Sequence, residues 1–132
     1  MKFLLDTDVC IAVMKGKPKA VEHLSFIPRE QLFVSSITVY ELFTGIAKCS
    51  RPHEEQEKVE KLISLLQVVA FDSDSAKIAA AIRAKLESRG EMIGPYDVLI
   101  AAQAISCDLT VATRNAREFF RVENLQIADW TS

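Results

Sequence analysis

Short apolar runs alternate with amphipathic stretches along the whole chain. Five short apolar runs predict strands, at 2–6, 32–34, 68–71, 109–112 and 125–127, and the first two have the continuity of buried strands. Between them, apolar residues recur with helical spacing at 9–14, 19–26, 37–48, 53–67, 75–89 and 95–106. This order predicts an α/β fold, a three-layer α/β/α sandwich with a mainly parallel sheet of about five strands.

Composition fits one globular domain over residues 1–132, since 49% of the residues are hydrophobic. The formal charge of -2 gives no overall attraction to nucleic acid or to an anionic membrane, so any such binding must be local. Cys10, Cys49 and Cys107 are too scattered for a metal or disulfide pattern and are expected to be buried free thiols. No signal peptide or apolar run of membrane-spanning length is present, which predicts a cytoplasmic protein.

Three acidic residues are placed where an α/β fold carries its chemistry. Asp6 directly follows the first predicted strand, Glu41 is a lone acid in a mostly apolar helix, and Asp97 is in the first turn of the helix that begins at Pro95. Parallel strands present their carboxyl ends at one edge of the sheet, where ligands bind. Three carboxylates at that edge repel one another unless a cation neutralises them, and oxygen ligands favour Mg²⁺ or Mn²⁺.

Purely structural roles are also open for acidic residues at these helix starts. Asp8 is the expected N-cap of the first helix, because its carboxylate can accept amide hydrogens of the first turn. Thr38 and Glu41 have the spacing of a capping box, and Asp97 can complement the dipole of its helix.

Four segments together resemble the PIN-domain ribonucleases, and among them the VapC-type toxins. The segments are LLDTDVCI, VSSITVYELFTGIAK, GPYDVLIAAQA and VATRNAREFFRVENLQIADW, in the order of that family. By this resemblance, Asp6, Glu41 and Asp97 bind Mg²⁺ or Mn²⁺ and orient an attacking water. Thr7 and Ser36 supply supporting hydrogen bonds.

One position departs from the family pattern. Many PIN domains have an aspartate after the fourth strand, where this chain has Asn115, and Glu118 one helical turn later is the candidate to complete the acidic set. Arg114, Arg117 and Arg121 recur at i, i+3 and i+7 beside the expected site. They are candidates to contact RNA phosphates, and the alternative is an ordinary solvated helix face.

The resemblance implies a metal-dependent endoribonuclease, the toxin of a toxin–antitoxin pair. It further implies a homodimer, a VapB-type antitoxin whose tail enters the active-site groove, and a structured RNA substrate, with initiator tRNA as the first candidate. Nothing in the spacing of residues identifies that RNA.

Two other classes share the first motif or the acidic pocket. LLDTDV also resembles the signature of haloacid dehalogenase phosphatases, and a phosphoacceptor receiver domain has similar length and acids at its strand ends. Both classes need a late lysine, whereas the last lysine here is Lys85. Neither class explains Glu41 or Asp97.

Overall fold

A computed structural model of the chain describes residues 1–131, in which five strands form one sheet with helices on both faces. The strands are β1 (Phe3–Leu5), β2 (Leu32–Ser35), β3 (Gln67–Val69), β4 (Thr110–Thr113) and β5 (Ile127–Asp129). The α-helices are α1 (Thr7–Met14), α2 (Pro18–Ser25), α3 (Ser36–Lys48), α4 (Pro52–Ile63), α5 (Ser73–Ser88), α6 (Pro95–Cys107) and α7 (Ala116–Phe119), and a 3-10 helix spans Arg29–Gln31.

The strand order is β3-β2-β1-β4-β5, and every neighbouring pair is parallel. This confirms the predicted α/β sheet. From β1 the chain adds β2 and β3 on one side of the sheet, and it then crosses back to add β4 and β5 on the other side of β1. The strand order therefore reverses between β1 and β4. In open α/β sheets, ligands bind outside the carboxyl ends of strands at such a reversal. Receiver domains have the order 2-1-3-4-5, so the receiver alternative is wrong.

Alternate residues of the central strands feed two separate hydrophobic cores. Leu4 faces α5 and α6, in a cluster with Ile100 and Phe119. Leu5 faces the opposite way, in a cluster with Val9 and other apolar residues of α1, α3 and α4. Because successive side chains of a strand point to opposite faces, β1 holds both helical layers against the sheet. The predicted three-layer sandwich is confirmed.

The bounds of several elements differ from the predictions. The predicted helix 53–67 ends at Ile63, β3 begins at Gln67, and the ladder of β5 begins at Ile127. Hydrophobic character did not mark burial here, since Leu65 is 38% and Val68 is 51% exposed, whereas a strand is defined by backbone pairing with its neighbour. The 3-10 helix was not predicted, because three residues are too few to show a period. Helix α7 has only four residues and is shorter than the spacing of the three arginines implied.

Two predictions about the whole chain have separate outcomes. Within residues 1–131, no helix has the length and apolar character needed to cross a membrane. All three cysteines are free, but only Cys10 is buried; Cys49 is half-buried and Cys107 is exposed. The prediction of burial is therefore wrong for Cys107, which is the last residue of α6 and lies at the surface.

Candidate active site

Asp6 joins the end of β1 to the start of α1 and is almost fully buried, at 3% exposure. Its backbone N–H continues the sheet ladder to the Ala112 carbonyl, while its Oδ1 accepts the Val9 N–H at 2.9 Å. Its Oδ2 accepts the Thr113 hydroxyl at 2.6 Å. Asp6 is thus the N-cap of α1, and the prediction that Asp8 has this role is wrong, because the helix begins at Thr7.

The surroundings of Asp6 disfavour its negative charge. Burial raises the pKa of Asp6 to about 7, against the hydrogen bonds from Thr113 and Val9, which lower it. The nearby charges of Asp8 and Asp97 raise the pKa further. A carboxyl in this environment is stabilised by any cation that approaches it.

Glu41 lies well inside α3 rather than at its start. The N-cap of α3 is Ser35, whose Oγ accepts the Ile37 N–H at 3.0 Å, so the capping-box prediction for Thr38 and Glu41 is wrong. The Thr7 hydroxyl donates to Glu41 Oε1 at 2.7 Å and lies 3.1 Å from the hydroxyl of the buried Thr38. Glu41 is therefore held toward the start of α1, beside Asp6.

Asp97 lies in the first turn of α6, which begins at Pro95 as predicted. Burial and the charges of Glu118, Glu41 and Asp8 raise its pKa to about 6. Gly94, the N-cap residue, fits closely against it, since a Cβ at that position would lie 2.9 Å from Asp97 Oδ2. The absence of a side chain at Gly94 therefore leaves room for the carboxylate.

The fourth acidic position has a mixed outcome. Glu118 lies in α7, close enough for its charge to raise the pKa of Asp97. Asn115 is the N-cap residue of α7, and its backbone N–H donates to Thr113 Oγ1 at 2.8 Å. The structure thus brings Glu118 to the other acids and gives Asn115 a backbone contact to the threonine that holds Asp6.

Two hydroxyl residues differ from the expected support of the site. The Ser36 hydroxyl accepts the Phe71 N–H at 3.1 Å, so its hydrogen bond fixes the segment after β3 rather than an acidic residue. Thr113, which contacts Asp6, was not among the predicted site residues. A signal was present, because Thr113 is a polar residue that ends a buried strand at the same edge as Asp6.

Asp6, Glu41, Asp97 and Glu118 form what we call the acid cluster. Each of them influences the charge of another, yet no group of three or more His, Cys, Asp or Glu in residues 1–131 is gathered at distances suited to holding a metal ion. The donor atoms of the cluster are all carboxylate oxygens, which are the ligands that Mg²⁺ and Mn²⁺ prefer.

The three predicted arginines do not share one helix face. Helix α7 ends at Phe119, so Arg114 precedes it and Arg121 follows it. All three side chains are exposed, and Arg121 Nη1 donates to the Met92 carbonyl at 2.9 Å. Arg121 thus makes a hydrogen bond to the loop before α6, whereas Arg114 and Arg117 remain candidates to contact RNA phosphates.

Comparisons with known proteins point to one family. A family model described as the PIN domain matches residues 3–125. The chain is 39% identical over 130 residues to the tRNA(fMet)-specific endonuclease VapC of Salmonella typhimurium, covering 98% of each chain. It is 36% identical over 131 residues to the protein of the same name from Shigella flexneri, covering 99% of each. A crystal structure of DNA-bound VapBC from Salmonella typhimurium contains a chain that matches with a TM-score of 0.92 and 39% identity over 98% of both chains.

Proposed function

We propose that this chain, which belongs to the PIN domain family, cuts RNA at its acid cluster with Mg²⁺ or Mn²⁺ as cofactor. It is an endoribonuclease of the VapC type, the toxin of a toxin–antitoxin pair. The observation that carries the active-site assignment is the position of Asp6. It lies where the strand order reverses, bonded to Thr113 across the sheet and close to the charge of Asp97.

Asp6, Glu41 and Asp97 are the residues that would hold the cation, with Glu118 beside Asp97. A bound divalent cation lowers the pKa of water and stabilises the negative charge that develops on a phosphodiester. The raised pKa values of Asp6 and Asp97 fit this role, because burial and then repulsion between the acids disfavour their negative charges, and a bound cation would compensate those charges.

The remaining groups fix the carboxylates in place. Thr113 and the Val9 amide hold both oxygens of Asp6, and Thr7 holds Glu41. Each acid that is held by a hydrogen bond needs less reorganisation when substrate binds. Water attacks the phosphorus in line with the departing ribose oxygen, and no covalent bond to the protein forms.

The substrate is a structured RNA, and initiator tRNA is the first candidate. Both curated relatives carry the name tRNA(fMet)-specific endonuclease, and they match nearly the whole of this chain. We infer that the protein acts in the cytoplasm as a homodimer.

A VapB-type antitoxin is the partner, because the solved Salmonella relative is a VapBC complex. A groove of about 340 Å³ between α1, α3 and α4 is the site we assign to the antitoxin tail. Its lining is mostly apolar, with Ile11, Met14 and Leu42, and it includes Glu41 at the acid cluster. A tail lying in this groove would cover the active site.

Cleavage of an initiator tRNA transcript tests the assignment. Wild-type protein is incubated with Mg²⁺, with Mn²⁺ or with chelator, beside Asp97→Asn and the matched control Asp74→Asn. Both aspartates lie in the first turn of a helix, but Asp74 is exposed on α5. Discrete cuts that need metal and that occur with Asp74→Asn but not with Asp97→Asn are expected. A folded Asp97→Asn variant that cleaves at the wild-type rate would refute the assignment.

Three further assays separate this function from the alternatives. Elongator tRNA in the same assay tests the substrate, and equal cleavage of both tRNAs would exclude specificity for the initiator. The phosphatase alternative predicts release of phosphate from p-nitrophenyl phosphate, which we expect to be absent. Induced expression of the wild-type chain in bacteria should arrest growth, whereas Asp97→Asn should not.

A further inference from the structure

Two tyrosines stand directly beside the acid cluster and contact each other. Tyr40 precedes Glu41 on α3, and Tyr96 precedes Asp97 on α6. Their ring centroids are 5.7 Å apart at an interplanar angle of 66°, and their hydroxyls are 3.3 Å apart. We call them the tyrosine pair. The pair connects the two helices that carry Glu41 and Asp97.

The tyrosine pair is exposed, although both rings are large and aromatic. Tyr40 is 56% exposed and Tyr96 is 40% exposed. In an edge-to-face arrangement the two rings do not cover each other's faces as stacked rings do, so aromatic surface stays available to a ligand.

The charge of the protein makes a neutral contact valuable at this place. The chain carries a formal charge of -2, and the acid cluster itself repels a phosphate backbone. Phosphate contacts are the usual source of affinity for nucleic acid. Stacking of a base on an aromatic ring gains affinity without requiring positive charge.

We propose that the tyrosine pair is the platform on which an unpaired RNA base stacks next to the bond that is cut. This inference rests on the proposed ribonuclease function and narrows its substrate class. Bases within a duplex are already stacked on one another, whereas bases in loops and at bulges can be splayed onto aromatic side chains. The substrate therefore presents an unpaired nucleotide at the cleavage point.

Steady-state kinetics with an initiator tRNA transcript test the platform. The variants are Tyr40→Leu, Tyr96→Leu and the double variant, with Tyr40→Phe and Tyr96→Phe as conservative replacements that keep the ring. Phe26→Leu is the matched control, because Phe26 is 78% exposed and lies between α2 and β2, away from the acid cluster in sequence and fold. The leucine variants should raise KM about 5- to 100-fold per stacked base, with kcat changed less than about twofold.

A binding measurement gives a readout that does not depend on catalysis. The probe is a short single-stranded RNA containing 2-aminopurine, whose fluorescence is quenched when the base stacks, and chelator is present throughout. Wild type, the phenylalanine variants and Phe26→Leu should quench the probe, and the double leucine variant should not. Quenching that is lost in phenylalanine and leucine variants alike would overturn the proposal, since the hydroxyls rather than the rings would then matter.

The results distinguish failure of the platform from failure of the proposed function. If wild-type protein quenches the probe but cuts no RNA, the tyrosine pair binds an unpaired base, but the ribonuclease assignment fails, and with it the placement of that base beside a cut bond. If it cuts RNA and the leucine variants keep wild-type KM and quenching, the platform is refuted. Sedimentation of each variant completes the test by measuring its oligomeric state. If the double leucine variant loses RNA binding only as it dissociates into monomers, the platform is refuted and the tyrosine pair belongs to an interface between copies of the chain.

Discussion

Replacing Asp6 with asparagine should make the metal-free protein more stable. Asp6 is buried, and its pKa is about 7 in the folded chain against 3.8 in the absence of the fold. Keeping its charge in the folded chain therefore costs about 4 kcal/mol at pH 8, at roughly 1.36 kcal/mol per pKa unit. Asparagine has nearly the same shape and avoids this cost.

The substitution also disturbs hydrogen bonds. An asparagine Oδ1 can still accept the Val9 N–H, but its amide cannot accept the Thr113 hydroxyl, which donates to Asp6 Oδ2 in the wild type. Loss of that hydrogen bond reduces the gain in stability by about 1 kcal/mol. The net gain in free energy of unfolding should then be about 3 kcal/mol at pH 8.

The same reasoning fixes the dependence on pH. The folded chain binds the Asp6 proton more tightly than the unfolded chain, so lowering the pH stabilises the wild type relative to the variant. The electrostatic cost falls from about 4 kcal/mol at pH 8 to about 2 kcal/mol at pH 5, and vanishes below pH 3.8. The advantage of Asp6→Asn should therefore shrink by more than half between pH 8 and pH 5.

Urea unfolding followed by circular dichroism, with chelator present, measures both quantities. Asp74→Asn is the control, because Asp74 is exposed in the first turn of α5 and its loss should cost at most about 1 kcal/mol. The reasoning is refuted if Asp6→Asn is no more stable than wild type at pH 8, or if its advantage is the same at both pH values.

Three further predictions concern two neighbours of the acid cluster and the distant ion pairs of Glu123. Thr113→Val should destabilise the protein by about 1.5–3 kcal/mol and lower kcat, because Asp6 loses its hydroxyl partner. Urea unfolding measures the loss of stability, and tRNA cleavage measures kcat. Wild-type values in both measurements would contradict the prediction. Gly94→Ala should reduce cleavage, because the added Cβ would lie only 2.9 Å from Asp97 Oδ2 and would displace that carboxylate. Gly45→Ala should leave cleavage unchanged, because a Cβ there meets nothing within 4 Å. Equal activity of the two alanine variants would count against this placement. The ion pairs of Glu123 lower its pKa to about 2. The stability that they contribute is therefore present above pH 4.5 and is lost as the pH falls toward 2. In acid unfolding, Glu123→Gln should lack this pH-dependent loss of stability.

Removing divalent metal is a separate prediction. Magnesium that binds only the folded chain stabilises it by about 2.7 kcal/mol at a hundred times its dissociation constant. Wild-type protein should therefore melt at a higher temperature with Mg²⁺ than with chelator, and Asp6→Asn should show a smaller difference. A wild-type melting temperature unaffected by Mg²⁺ or Mn²⁺ at millimolar concentration would argue against the metal.

The order of elements followed from hydrophobic spacing, because burial on both faces leaves a continuous apolar run and burial on one face leaves a helical period. Leu4 and Leu5 illustrate this, since each serves a different core. The exact ends of elements did not follow. Leu125 is as apolar as a strand residue, yet the ladder of β5 starts at Ile127, since pairing depends on a neighbouring strand that lies elsewhere in the chain.

The acid cluster was likewise predictable only in part. That Asp6, Glu41 and Asp97 share one edge of the sheet could be expected from local sequence, because each follows a predicted strand or lies near the start of a predicted helix. Which residue caps which helix could not, as the roles of Asp6 and Asp8 show. One residue of difference in where β1 ends exchanges those roles.

The sequence by itself determined the fold class, the family and the acids at the edge of the sheet, since these depend on residue types at short spacings. Only the tertiary structure decided that Thr113 holds Asp6, that Glu118, until then a candidate, lies near Asp97, and that Tyr40 meets Tyr96. These contacts join residues separated by 107, 21 and 56 positions. They exist because the crossover between β1 and β4 brings distant segments to one crevice, and no local pattern encodes that distance.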